Sequence, residues 1–270
     1  MILKPSGIPQ FRTAGHDRRG GAAFGLVSRS LAVVALVAFT APWAAAQDAG
    51  NGFLFEQPVG SLTISGGYAH ANASGGLFSE VTNDLTLARS DFSGAAFGAD
   101  FAMRVAPRFD VVLSASYAGT STPSNYRELV DQNNQEIMQS TEFKRVPLML
   151  SVRAYLQPRG REVGKFAWVP ARFAPYVGVG GGAMWYKFRQ NGDFVNYQTN
   201  NVFTGDLSSS QWTPAAQALG GVDFTLTPHV ALNGEVKYIW ANAKLNNNFI
   251  GFDNIDLSGL STTLGLTFRF

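Results

Sequence analysis

The stretch Gly259-Leu-Ser-Thr-Thr-Leu-Gly-Leu-Thr-Phe-Arg-Phe270 separates, two residues at a time, into two sets. Leu260, Leu264, Leu266, Phe268 and Phe270 form an apolar set; Ser261, Thr263, Gly265, Thr267 and Arg269 form a small or polar one. Successive side chains of a strand point to opposite sides, so this is a strand with one greasy and one wet face. In a water-soluble protein the greasy face turns inward to a core. In a lipid-spanning barrel it turns outward and the wet face lines the lumen.

The same alternation recurs upstream. Strands are predicted over Gly60–Asn72, Gly94–Val105, Val111–Ala118, Phe143–Leu156, Pro175–Phe188, Ala216–Leu226 and Val230–Trp240, which with Gly259–Phe270 makes eight. The connections 106–110 and 227–229 are short, whereas 73–91, 120–142, 189–211 and 242–258 are long and polar and read as loops, with one helical turn conceivable over Tyr126–Val130. Long and short connections alternate as extracellular loops and periplasmic turns do in a transmembrane barrel. A basic connection at 157–173, carrying Arg159, Arg161, Lys165 and Arg172, breaks that alternation.

Charge decides between the two barrels. Asp100, Arg104, Arg145, Arg153, Asp223, Glu235, Lys237 and Arg269 all fall on the less apolar face of their strands, and the other face carries only Lys144 and Lys187, each next to the outer end of its strand. A midplane Arg or Lys facing lipid costs about 2 to 4 kcal/mol, which accounts for that separation. Turning the Val, Leu, Phe and Trp of eight strands inward would overfill a barrel of this size. With both termini in the periplasm, Tyr68, Tyr117, Trp185, Trp212, Tyr238 and Trp240 form an outer aromatic girdle, and Phe109, Phe268 and Phe270 an inner one. The predicted fold is therefore all-β, an eight-stranded antiparallel up-and-down transmembrane β-barrel over residues 47–270.

Residues 1–46 read as a cleaved signal peptide. Arg29 precedes the apolar run that begins at Leu31, and Ala44-Ala45-Ala46 supplies the small residues of a cleavage site. The segment before the run is long, which an upstream start explains. It also holds Lys4, Arg12, Arg18, Arg19 and Arg29 against Asp17 alone, so the rest carries 16 basic and 18 acidic residues and no nucleic-acid role is expected. The absence of cysteine excludes disulfides and thiolate metal sites. No cofactor or metal is implied. Past residue 46 the only histidines are His70 and His229, neither with a partner suited to general-base chemistry, so no enzyme is expected.

The ending Leu264-Gly-Leu-Thr-Phe-Arg-Phe270 resembles the C-terminal signature of bacterial outer-membrane barrels. Together with Gln217–Asp223 and Leu232–Ile239 it is similar to the last three strands of the OmpW family, while Arg145–Tyr155 and Pro175–Gly182 resemble the wider OmpA-like and OmpX-like pattern. The resemblance implies export to the outer membrane and contact with its lipid and lipopolysaccharide. It also implies reading of Phe268 and Phe270 by the barrel assembly machinery, and passage of small hydrophobic compounds.

Ordered by height, Asp100, Arg104, Arg153, Asp223, Glu235, Lys237 and Arg269 form a lumen charge cluster toward the periplasm, with Arg269 needing Glu235 or Asp223 as partner. Met149, Leu219 and Ile239 form an apolar pocket higher up. Buried charges must pair, so the cluster is expected to close the floor. The expected protein is a monomer that is either a narrow, salt-bridged route for small hydrophobic ligands or a non-transporting, adhesin-like barrel acting through its four long loops.

Overall fold

The structure, a computed structural model, describes residues 52–270 except 165–166, 197–200, 250 and 253. Residues 1–46, expected from sequence to be a signal peptide, and Lys165 lie outside the described residues.

Eight long strands pair antiparallel and close on themselves. They are β1 (Gly60–Ala71), β2 (Gly94–Ala106), β3 (Phe109–Val130), β4 (Glu136–Tyr155), β7 (Phe173–Asn196), β8 (Asn201–Thr227), β9 (Val230–Lys244) and β11 (Gly259–Arg269). Each pairs with the next in that order, and β1 pairs with β11, for instance Ile64 opposite Leu266. The seam is finished by Phe270, whose carbonyl accepts the Val59 and Gly60 amides at 3.0 and 2.9 Å and whose own amide donates to the Gly60 carbonyl at 3.0 Å. No edge of the ring within the lipid zone is left open, the condition for a sheet to cross lipid.

Alternation puts the apolar set outside. Leu264, Phe97 and Val179 are 65, 62 and 66% exposed although all are strongly apolar. Phe268 and Phe270 are exposed on the same outer face, and Tyr68, Trp212 and Trp240 ring the opposite rim. Between these girdles Asp100, Arg153, Asp223, Glu235 and Lys237 are all buried in the lumen. An apolar belt outside and charges within is the arrangement lipid demands, and a closed barrel of this kind is an outer-membrane protein.

Two of the expected loops are strand instead. β3 and β4 run on past the rim as a hairpin covering most of 120–142, and β7 and β8 do the same across 189–211. Tyr126–Val130 is extended, with no helical turn. The inward face of these extensions is buried, with Ile137, Gln139, Thr141 and Gln190 on it, but it is largely polar, so little apolar alternation marks these strands and the pairing itself holds them. The strands of these two hairpins are 22, 20, 24 and 27 residues long, against 12, 13, 15 and 11 for β1, β2, β9 and β11. About 9 to 11 tilted residues cross the hydrocarbon core, so the surplus stands outside as one four-stranded sheet.

The other connections carry small elements. Helix α1 (Gly76–Asp84) and a 3-10 turn, Arg89–Phe92, lie between β1 and β2, and the short strand β10 (Asn254–Asp256) pairs with β9. The 157–173 connection folds into a separate hairpin, β5 (Gly160–Val163) with β6 (Ala167–Pro170), and Trp168 of β6 exchanges backbone hydrogen bonds with Leu54. This hairpin is why the connection is longer than a turn.

Candidate functional site

The lumen is occupied in two storeys. The lower one is a polar network hung on five strands. Arg153 of β4 donates from Nη2 to Glu235 Oε2 of β9 at 3.0 Å, and Lys237 Nζ lies 2.9 Å from Glu235 Oε1. Asp100 of β2 stands 3.9 Å from both cations. Two cations and two carboxylates thus share one buried cage, with the Tyr176 ring stacked 4.1 Å from the Arg153 guanidinium carbon.

A third carboxylate is tied in by neutral groups. Asp223 accepts from the Tyr155 hydroxyl at 3.0 Å and from Asn233 Nδ2 at 2.8 Å. The Tyr176 hydroxyl donates to Glu235 Oε2 at 3.0 Å and accepts from Asn233 Nδ2 at 2.8 Å, which joins the two halves. Tyr176 fits because Gly221 faces it: a Cβ there would lie 2.5 Å from the hydroxyl. Neutral donors on a buried carboxylate replace the water it has lost, while Arg153 Nε in the same network is left without a hydrogen-bond partner.

Of the lumen charges expected from sequence, Asp100, Arg153, Glu235 and Lys237 are in direct ionic contact and Asp223 joins through Tyr155 and Asn233. Arg104 and Arg269 sit lower, at the periplasmic mouth. Arg269 does not take Glu235 or Asp223: its Nη1 donates to Thr225 Oγ1 at 3.0 Å, because Glu235 is already held by Arg153 and Lys237. Sequence reasoning missed Tyr155 and Tyr176 as partners, and it missed Asp110, which it left in a turn. Asp110 pairs with Arg159 from the basic connection, Nη1 to Oδ2 at 2.9 Å.

The upper storey is apolar and packed by the chain itself. α1 sends Leu77, Phe78 and Val81 into the barrel. The Phe78 ring meets Phe92, Phe143 and Phe188 edge-on at centroid distances of 4.8, 5.5 and 6.0 Å, and Phe249 closes on Phe188 at 5.5 Å. Met149 and Ile239 belong to this cluster, but Leu219 does not: it packs below, with Tyr155, Ala174 and Tyr176. The three residues expected to line one pocket are therefore divided between the storeys by the height of Leu219 on β8.

At the height of the upper storey Arg145 enters the lumen, its Nη1 donating to the Leu257 carbonyl at 3.1 Å. Gly259 leaves room for it, since a Cβ there would lie 2.8 Å from that nitrogen. His70 Nδ1 lies 3.2 Å from Ser93 Oγ and His229 Nδ1 lies 3.3 Å from the Arg269 carbonyl.

No protein-family model matches the chain, and no curated protein matches it in sequence. Solved structures similar in fold are bacterial outer-membrane barrels. OprG from Pseudomonas aeruginosa is 17% identical, with 80% of this chain and 99% of that one covered and a TM-score of 0.41. Neisserial surface protein A is 14% identical, covering 82% and 98% at a TM-score of 0.42. E. coli outer membrane protein W is 18% identical, covering 80% and 100% at a TM-score of 0.33. The likeness is one of fold, and the outer-membrane assignment stands on the strand pairing and the apolar belt.

Proposed function

We propose that this outer-membrane barrel is closed to solutes and acts at the cell surface, where the sheet formed by the β3–β4 and β7–β8 hairpins binds an extended polypeptide. The observation that carries this reading is the free edge of that sheet. β8 pairs with β7 up to Asn201, but β9 pairs with β8 only as far as Ala241 opposite Ala215. No strand covers the other side of Asn201–Leu207 among the described residues.

The direction of the free groups follows from parity. Asn246 and Asn248 donate side-chain amides to the Ser208 carbonyl at 2.6 and 3.0 Å, so that carbonyl points away from β7. In an antiparallel ladder alternate residues share a direction, so the N–H and C=O of Val202, Thr204 and Asp206 also point outward. An open edge of this kind is a template for strand addition. In the same reading the belt contacts outer-membrane lipid and lipopolysaccharide, and the barrel assembly machinery reads Phe268 and Phe270.

Thr204→Pro tests it, because proline removes an outward N–H and leaves the β7 ladder in place. Cells expressing the wild type should attach to a surface coated with unstructured polypeptide, and the proline variant should fall to the empty-vector level. Thr204→Val, which keeps the N–H but loses the hydroxyl contact to Asp193, should attach normally. Attachment by the proline variant equal to wild type would remove the reading.

A second reading, uptake of small hydrophobic molecules, is favoured by the way α1 is held. This nine-residue helix has no side-chain cap, and Leu77, Phe78 and Val81 seat it in the aromatic cluster. So short a helix has little stability of its own, and an apolar ligand could take its place. Entry of N-phenylnaphthylamine into vesicles holding the wild type, faster than into empty vesicles, would support uptake; equal rates would exclude it.

A further inference from the structure

At the periplasmic rim, where the end of β8 meets the link from β6 to β7, lies an open groove of about 400 Å³. Phe224, Leu226 and Thr227 of β8 line it, with Pro170, Arg172 and Gly52 facing them. Parity sets the side on which it opens. Asp223 is buried in the lumen, so Phe224 and Leu226 point outward, and Leu226 is exposed on the same outer surface as Phe173. The floor of the groove is thus the lower end of the apolar belt. Its volume is that of a ligand site, since such sites run from about 300 to 1,000 Å³.

The walls are fixed by hydrogen bonds. Thr225 clamps the floor to the link, its N–H donating to the Arg172 carbonyl at 2.9 Å and its hydroxyl to the Ala171 carbonyl at 2.7 Å. Leu54 and Trp168 exchange backbone hydrogen bonds at 2.8 and 2.7 Å, which holds the segment following Gly52 against β6.

Arg172 stands over this floor, its guanidinium carbon 5.3 Å from the centre of the Phe224 ring. The residue is exposed, and among the described residues no carboxylate pairs with it. That separates it from Arg159 of the same basic connection, which is taken by Asp110. A guanidinium resting on an aromatic face is held in place and keeps its N–H groups for an oxyanion. Beside it the Thr227 hydroxyl accepts from the Val230 N–H at 3.1 Å and retains its own proton to donate.

An occupant has to satisfy two chemistries at once, an apolar body against Phe224 and Leu226 and an oxyanion on Arg172 where the belt ends. A soluble phosphate supplies only the second, and hydrocarbon only the first. The groove is at the end of the barrel away from the β3–β4 and β7–β8 extensions, so the leaflet beside it is the phospholipid one. Arg172 is the one charged residue in the lining, so an ammonium headgroup finds no partner there.

We propose that this groove binds one anionic phospholipid of the periplasmic leaflet, with its phosphate on Arg172 and its acyl chains along Phe224 and Leu226. The β5–β6 hairpin then has a purpose beyond joining β4 to β7, since it builds one wall of a lipid site.

Native mass spectrometry of the refolded chain in an uncharged detergent, titrated with phosphatidylglycerol, tests this. One lipid should bind saturably per chain. Arg172→Gln should weaken binding about tenfold, as expected for loss of a charged contact, with heat-modifiability unchanged because the side chain is exposed. Arg108→Gln removes another exposed charge from the same rim, in the turn between β2 and β3, and should bind as wild type. Phosphatidylethanolamine should bind more weakly, and neither inorganic phosphate nor diacylglycerol should displace phosphatidylglycerol. Absence of saturable binding, wild-type affinity in Arg172→Gln, or an equal loss in Arg108→Gln overturns the proposal. So does phosphatidylethanolamine binding as tightly as phosphatidylglycerol, or displacement by inorganic phosphate or diacylglycerol alone.

Discussion

Arg153 and Glu235, on β4 and β9, are 82 residues apart in sequence and meet inside the barrel with Nη2 and Oε2 3.0 Å apart. Removing either alone leaves the buried cage with an unbalanced charge, since Lys237 and Asp100 already offset each other. Arg153→Ala should destabilise the barrel by about 3 to 5 kcal/mol, the usual consequence of leaving a buried charge without its partner. The double replacement Arg153→Met with Glu235→Leu should cost less than either single change, because it removes both charges. Urea unfolding in lipid vesicles followed by tryptophan fluorescence gives both values. Additive losses would mean that the pair is not coupled.

The aromatic stopper should respond differently. Phe78→Ala removes the ring that Phe92, Phe143 and Phe188 surround. A loss of about 3 to 5 kcal/mol is expected for a fully buried phenylalanine, confined to the upper storey. Hydrogen exchange should therefore quicken at α1 and around Phe249 while the amides of Arg153 and Asn233 stay protected. Uniform quickening along every strand would contradict a lumen built in two separable layers.

How much of this was legible in sequence depended on whether a residue's neighbours repeat. Leu264, Leu266 and Phe268 face lipid as read, because period-two alternation with charge confined to one face admits a single answer. Arg153, Glu235 and Lys237 were placed in one lumen by the same parity, yet their partners were not, since contact across a barrel depends on height and on three intervening strands. Arg269 shows the cost: parity put it inside, but its bond goes to Thr225. Arg159 and Asp110 carry no periodic signal at all, being 49 residues apart and joined only when a hairpin folds beneath the mouth. α1 stayed hidden because Leu77, Phe78 and Val81 occupy barely one turn of spacing. The protruding strands were hidden because Gln139, Thr141, Gln190 and Ser209, polar even on the buried face, look like loop.

The seam predicts a role for Phe270 in assembly. Deleting it removes the two hydrogen bonds its carbonyl accepts and the one its amide donates, and takes away the ring lying 6.3 Å from that of Phe101. The deletion should be exported normally but give much less heat-modifiable barrel in cold gel electrophoresis. An undiminished yield would show that the last residue is dispensable for closure and for recognition.

Above the membrane the protruding sheet should loosen in acid before the barrel does. Lys144 beside Glu142, with Lys187 on the adjacent strand, holds the Glu142 carboxyl below its ordinary range. Arg189 does the same for Asp206. A carboxyl depressed in the folded state contributes stability above its unfolded pKa and loses it as pH falls through the folded one. The sheet should therefore hold at neutral pH and weaken below about pH 4, the unperturbed carboxyl range. Pepsin should cut within 120–142 or 189–211 once the pH is well below that range and leave a heat-modifiable core. Hairpins as resistant as the barrel would mean that these pairs do not hold the sheet.

The closed lumen is the claim on which the rest depends, and single-channel recording in planar lipid bilayers reads it directly. With the Arg153–Glu235 cage below and the Phe78 cluster above both in place, the wild-type chain should insert without measurable steps in current. Discrete openings should appear only when both storeys are breached, as in Arg153→Ala combined with Phe78→Ala. A steady ohmic conductance in the unmodified protein would contradict the account.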